Sequence, residues 1–523
     1  MKKTLFLSLL SVFLFLLTGC QKDNIVIIDP VMLDDTEDDI TNTTFTQTVY
    51  VTFSDNGNAE VSDTNDDFTV SVSGNHVTLV YSGDEYVMYE LTGTATDGCF
   101  KLYSSRKQAL TLNDLNLTNP NGAAINIQGT VSEPNKGKRT FVVLNGENML
   151  ADGTSYSATP TGEDEKGALF SEGQLIFSGE GSLAVTALGK SGIVSDDYVT
   201  INGGTIHVAV SSSVYYDEED TEYKSTAGIK ANDYVKMVSG SLVITHSGTG
   251  GKGISCDGNG YFLGGTTRVT TTGSNYGSGG GGGFPGGGNN NSSNSKSAKA
   301  IKFDGNLVFS GGKVVASSTA HEGIEAKGTI TISGGEVYSY SQSDDAINSG
   351  GDFTISGGYV NGQSAGNDGL DANGNCYIKG GVVYAIGSSS PEVAIDANTE
   401  GGYKLYVEGG TLIAIGGLES GSSLSQSCYS ASSWSQNTWY ALTIGSTTYA
   451  FKTPSSGGTP LVVSGASTTT LISGVTASGG TEYFEGVFYE GATVSGGSSV
   501  SLSSYTGGNG GGGGPGGGGH GPF

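Results

Sequence analysis

From Ile301 to Ile395 the chain repeats one pattern of apolar and polar positions. A small residue and an aliphatic open each repeat. A short alternating run follows, then a Gly-Gly pair, then a second alternating run. Aligned on the aliphatic, the series reads Ile193, Ile229, Ile254, Ile301, Ile324, Ile347, Leu370 and Ile395, with steps of 23, 23, 23 and 25 residues from Ile301 onward. Phe309, Ile332, Ile355 and Ile378 form a second series, each two residues before a Gly-Gly pair, and Val314, Val337, Val360 and Val383 form a third after it. Alternation over strand-length runs places side chains on opposite faces. Three aliphatic series at one period predict three short strands per turn, each stacking its inward side chain on the turn below. The expected fold is therefore all-β: a right-handed parallel β-helix, a single-stranded solenoid of 23–25 residues per coil, with the hand set by the rule for parallel crossovers. The Gly-Gly pairs fit corners where a Cβ has no room. Their density excludes a helical solenoid of similar period.

The irregular steps locate the domain organisation. Residues 211–226 ("SSSVYYDEEDTEYKST") and 273–298 (Gly-, Asn- and Ser-rich) are insertions at corners of a regular solenoid spanning 191–416, where extra chain does not interrupt the ladders. Residues 46–190 alternate less regularly and are expected to form an N-terminal β cap and the first coils; 417–505 form a C-terminal β region. Both ends need covering, because an open solenoid end exposes apolar cross-section and unpaired strand edges.

At the N-terminus, Lys2-Lys3 precedes an apolar run from Leu5 to Leu17 that is too short to span a bilayer. The run ends in Leu17-Thr18-Gly19-Cys20, which resembles a bacterial lipoprotein box. The expectation is a signal peptide over 1–19, lipidation of Cys20, and an acidic flexible tether over 20–45. Gln21-Lys22-Asp23 resembles the leader of surface-exported lipoproteins, so the expected location is the outer membrane or cell surface. Residues 506–523 read as a disordered Gly-rich tail.

Composition narrows the partners. With 24 basic against 51 acidic residues the chain carries −27, which argues against nucleic acid and against direct attraction to anionic glycans or membranes; the membrane is met through the lipid alone. An anionic partner would need a bridging cation. Beyond Cys20, the cysteines Cys99, Cys256, Cys376 and Cys428 show no zinc-type spacing, and Cys256 and Cys376 fall at inward positions of the repeat. Buried free thiols are expected there rather than disulfides. A monomer is expected.

Equivalent positions of successive coils lie about 4.8 Å apart. Two residues before the aliphatic stand Glu322, Asp345 and Asp368; one residue after it stand Glu325, Asn348, Asp371 and Asp396; Asp344, Asn367 and Glu392 lie on the same corner. Two like charges at that spacing repel by roughly 3 kcal/mol at an effective dielectric near 20, and by under ~1 in water. Protonation relieves the repulsion, as does a hard cation such as Ca²⁺, which takes six to eight oxygen ligands of this kind. A fully solvated corner would need neither. The upstream corners carry Lys190-Ser191, Thr226-Ala227 and Gly251-Lys252 instead, so any metal belongs to the later coils. Outward positions after the inward valines read Val315, Tyr338, Asn361 and Tyr384, with Tyr340 two residues past Tyr338. Such a row would suit stacking on sugar rings with amide hydrogen bonds between. Scattered strand tyrosines are the plainer account. Trp434 and Trp439 in the C-terminal region fit cap packing equally well.

The phrases "HEGIEAKGTITISGGEV", "DDAINSGGDFTISGGYV" and "NDGLDANG" resemble the calcium-binding parallel β-helix carbohydrate-binding family of bacterial cell-surface proteins, whose fold is like that of calcium-dependent pectate lyases. The resemblance extends over about residues 50 to 505. It implies non-catalytic binding of polysaccharide, of plant type or acidic, with Ca²⁺ held by Glu322, Asp344, Asp345, Asp368 and Asp371. Tyr338, Tyr340, Asn361 and Tyr384 are the candidate carbohydrate-binding residues. A calcium-dependent polysaccharide lyase is the alternative reading, with Lys302 and Lys327 as candidate bases near the acidic edge. The whole chain has three arginines (Arg106, Arg139, Arg268) and none after residue 300, which weighs against the bidentate clamps that uronate enzymes favour. A structural or adhesive surface protein is a third reading.

Overall fold

In a computed structural model the described residues are 35–129, 139–160, 162–218, 220–277, 295–467 and 469–507. The expected signal peptide, Cys20 and the greater part of the tether lie outside them, as do most of the second insertion and nearly all of the tail. The described residues up to Thr43 belong to a first unit. Its described part holds two one-turn 3₁₀ elements, Thr36–Asp38 and Ile40–Asn42, each capped by the aspartate before it. The second unit, from Thr44 onward, is all-β, built on large and mainly parallel sheets, with no α-helix among the described residues.

The aliphatic series are the inward rungs of these sheets. Ile193, Ile229, Ile254, Ile301, Ile324, Ile347 and Leu370 pair in parallel, each with the next, and Leu370 bridges to Ile395. All eight are fully buried. The second series pairs Phe309–Ile332–Ile355–Ile378 and the third Val314–Val337–Val360–Val383, in the register their sequence spacing sets. The sheet carrying the first series continues upstream through Leu169, Ile125, Phe100 and Val77, so the irregular N-terminal segments share the same ladder. Cys256, in that sheet, and Cys376, on a strand of the second series, are buried free thiols.

In the Gly-Gly pairs that follow the second series the second glycine has positive φ, as at Gly335 (+79°), Gly358 (+77°) and Gly381 (+75°). A Cβ on Gly358 would meet the backbone of Gly334 and Gly335 at 2.8 Å. The corner thus needs glycine for its conformation and for the approach of the neighbouring repeat.

Two features close the ladders. Thr411–Ile415, the last strand of the third series, accepts Leu461–Ser464 as an antiparallel neighbour. A separate antiparallel sheet of six strands, including Trp439–Ile444, Thr447–Lys452 and Phe488–Glu490, packs its Tyr440, Leu442, Phe451 and Phe488 with Tyr384, Ile386, Ile413 and Ile415 in a second apolar core.

Candidate functional site

The acidic corner lies where the third strand of one repeat turns into the first strand of the next. A ladder of buried serines builds it. Ser318, Ser341 and Ser364 are register partners at the end of the third strand. Ser341 Oγ donates to the carbonyl of His321 at 2.9 Å and accepts from Asp344 N at 3.0 Å. Ser364 Oγ donates to the carbonyl of Asp344 at 2.7 Å and accepts from Asn367 N at 2.8 Å. Each serine therefore ties two successive corners together and aims the acids that follow. A small hydroxyl residue at this inward position was visible in the repeat, but its abundance elsewhere in the chain hid it.

The corner divides into two halves with different charge compensation. In the first, Lys299 Nζ lies 3.1 Å from Glu322 Oε2 and 2.6 Å from Glu325 Oε2. His321 Nδ1 bonds Glu322 and lies 2.8 Å from Asp344 Oδ2. Burial alone would depress the His321 pKa, yet its bonds to Asp344 and Glu322 hold it at about 9. Burial opposes ionisation of Glu322 and Asp344 too, but Lys299 acting on Glu322, and His321 acting on both, keep these carboxyls below their ordinary range. This half is neutralised by the chain's own cations.

In the second half the Asn348 amide donates to Asp345 Oδ2 (3.1 Å) and Asp371 Oδ2 (2.6 Å). Asp345 Oδ1 accepts from Asp368 N at 3.1 Å and Asp368 Oδ1 from Val393 N at 2.6 Å. Asp368, Asp371 and Asp396 bring carboxylate oxygens within 4.8 Å of one another. Burial, then the charges of Asp371, Asp344 and Asp368, push Asp345 well above the usual carboxylate range. Burial likewise raises Asp368 to about 8, and burial with a hydrogen bond to Glu419 raises Asp396 to about 10. Among the described residues no Lys or Arg is ion-paired to Asp345, Asp368 or Asp396.

Of the five acids expected to act together, Glu322 and Asp344 therefore belong to a lysine–histidine network, and Asp345, Asp368 and Asp371 gather with Asp396. Lys299 was missed although it stands two residues before Ile301, the position Glu322 holds before Ile324. Lys302 and Lys327 both pair with Asp304, at 2.7 and 3.0 Å.

The expected outward aromatic row needs correction. Tyr338, Asn361 and Tyr384 are cross-strand neighbours as the spacing required, but they lie under the C-terminal sheet. Tyr384 is fully buried against Phe451 and Phe488, and its hydroxyl donates to the Lys452 carbonyl at 2.8 Å. Asn361 is fully buried, and Tyr338 is half-buried against Phe484. A ring covered on its outer face offers a sugar nothing to stack on. Tyr340 alone of the four stays partly exposed outside that core. Trp434 closes the same region, its Nε1 donating to the Gly458 carbonyl at 2.8 Å.

Comparison with known proteins adds the following. The family model described as "Carbohydrate-binding domain-containing protein" matches residues 73–346. A solved structure, the polysaccharide lyase-like protein from C. thermocellum as a gadolinium derivative, is similar at 20% identity and a TM-score of 0.40, over 55% of this chain and 96% of that one. No curated protein matches the chain.

Proposed function

Because the chain belongs to the carbohydrate-binding domain-containing protein family, we propose that it is a non-catalytic, lipid-anchored polysaccharide-binding protein of the outer membrane or cell surface, with Ca²⁺ on its acidic corner. In this reading the parallel ladders wind as one right-handed β-helix, and Cys20 carries the lipid.

One observation carries the calcium proposal: Asp345, Asp368 and Asp396 stand buried or half-buried beside Asp371, and among the described residues none of those first three is paired with a lysine or histidine, unlike Glu322 two repeats upstream of Asp368. The donor set fits the ion. Every candidate ligand atom is a carboxylate or amide oxygen, the preference of a hard cation. Oxygens bound to one Ca²⁺ at about 2.3–2.6 Å lie no more than ~5 Å apart, and those of Asp368, Asp371 and Asp396 meet that limit. Bound there, the cation would supply positive charge able to hold a glycan carboxylate despite a net charge of −27. Asn348 and Ser364 would hold the acids in place. In the alternative reading, a calcium-dependent lyase, a base must reach the proton beside a uronate carboxylate.

The test is sedimentation with a panel of insoluble and soluble polysaccharides, with Ca²⁺ or chelator, while unsaturated uronate is followed by absorbance. Calcium-dependent retention that is lost in Asp345→Ala/Asp368→Ala, without product, supports the reading. Retention indifferent to chelator and to both substitutions removes the cation from it, and product formation replaces the binder with a lyase.

A further inference from the structure

At the N-terminal end of the same sheet, far from the acidic corner in sequence, three side chains form a relay that the function above does not use. His76 on Asn75–Tyr81 and Cys99 on Gly98–Tyr103 are direct partners in a parallel ladder. Cys99 Sγ lies 3.3 Å from His76 Nδ1, and His76 Nε2 lies 3.1 Å from Asp97 Oδ1. The carboxylate of Asp97 is an acceptor and selects the tautomer carrying hydrogen on Nε2. That leaves Nδ1 with a lone pair directed at the thiol. A nucleophile, a base and a group that orients the base are the parts of an activated thiol.

We propose that Cys99 is a nucleophilic thiol, activated by His76 and Asp97, which exchanges with disulfides from outside the chain to form a mixed disulfide. His76 Nδ1 takes the thiol proton and Cys99 Sγ attacks one sulfur of the incoming disulfide. The new S–S bond forms as the old one breaks, and the departing thiolate takes the proton from the imidazolium. One thiol and one disulfide are consumed and one of each is produced, so no further oxidant is needed.

Two features support this assignment. Cys99 is partly exposed, whereas Cys256, Cys376 and Cys428 are buried, and none of the four is in a disulfide. Among the described residues Cys99 has no cysteine beside it along the ladder, so a disulfide from outside the chain is the partner the geometry suits. Burial pushes the Cys99 thiol up to about 11, which works against the thiolate, so exchange at neutral pH requires His76 to take the proton. The side chain of His76 is 40% exposed and that of Asp97 68% exposed, which leaves the relay open to a small disulfide. The site asks for no cavity, because disulfide exchange needs an in-line approach to sulfur rather than a pocket for an oxyanion.

The experiment treats the folded full chain with 5,5′-dithiobis(2-nitrobenzoate) at pH 7, follows release of the coloured thiolate, and assigns the modified cysteine by peptide mass mapping. Among Cys99, Cys256, Cys376 and Cys428, only Cys99 is expected to react, and Cys99→Ser removes that signal. His76→Gln is expected to slow Cys99 by about a hundredfold, the usual weight of general-base assistance, and Asp97→Asn by about tenfold. In denaturant all variants should react alike, which separates lost assistance from altered folding. Equal rates for wild type and His76→Gln in the folded state would overturn the proposal. So would a rate rising about tenfold per pH unit through pH 9 in both, since that is simple thiolate titration.

Discussion

Lys299 and Glu322 occupy the same corner position in consecutive repeats, and their charged atoms lie 3.1 Å apart with both side chains over 90% buried. The lysine is shared with Glu325 at 2.6 Å. One repeat upstream the position holds Lys252, whose pKa burial and then its lysine neighbours Lys302, Lys299 and Lys296 lower to about 7. One repeat downstream it holds Asp345. The sign of the corner thus changes at this pair.

Lys299→Met should therefore do more than delete a surface ion pair. It leaves Glu325 without its lysine and Glu322 with His321 alone in a buried setting, a loss of about 3–5 kcal/mol. Urea unfolding in chelator measures it. If the cost arises from uncompensated carboxylates, adding Glu322→Gln and Glu325→Gln to the same chain should recover most of it, whereas a packing defect would persist.

Stability in chelator should fall as pH rises from 5 to 8. Asp368 is raised to about 8 in the folded chain from an ordinary value near 3.8, so it contributes stability while protonated and loses that contribution as pH climbs through the folded value. Asp396, raised to about 10, continues the loss above that range. His321, held at about 9, acts in the same direction once pH passes the ordinary imidazole value. Ca²⁺ bound as proposed would compete with these protons, so the increment in Tm on adding it should grow with pH. Scanning calorimetry at four pH values, with and without the ion, checks both trends. An Asp368→Asn chain should show a shallower fall in chelator, and a flat wild-type profile would contradict the argument.

The inward ladders were legible because a stacked repeat places the same residue type on the same rung at every step. Ile324 could belong nowhere but beside Ile301 and Ile347. Outward positions carry no such rule. Tyr384 sits at the outward rung the spacing assigns, yet what covers it comes from Phe451, Lys452 and Phe488, remote in sequence and outside the repeat. The acids were legible as a group, but their division was not, because it turns on Lys299 and His321 and on which carboxylates those side chains reach. A charge at the shared corner position was the available signal.

The glycine corners should separate two costs. Gly402 has φ of +88° with open space around its Cβ position, so Gly402→Ala should cost only the left-handed conformation, about 1 kcal/mol. Gly358 has φ of +77° and the backbone of Gly334 and Gly335 at 2.8 Å from that position. Gly358→Ala should cost the same conformation plus displacement of a neighbouring repeat, in all about 2–4 kcal/mol. Paired urea melts of the two variants measure the difference, and equal costs would mean the repeats yield easily at that corner.

Ser364→Ala tests whether the serine ladder positions the acids. The hydroxyl bonds the Asp344 carbonyl and receives the amides of Gly366 and Asn367, at 2.7, 3.2 and 2.8 Å. Removing it leaves those groups poorly satisfied in a buried turn, for a loss of about 1–3 kcal/mol. A purely structural role would end there. If the turn also fixes Asp368, which follows Asn367 directly, Ca²⁺ affinity should fall about tenfold by titration calorimetry at a temperature where the variant remains folded. Ser318→Ala, at the equivalent rung beside the lysine-neutralised half, should lose similar stability and leave that affinity unchanged.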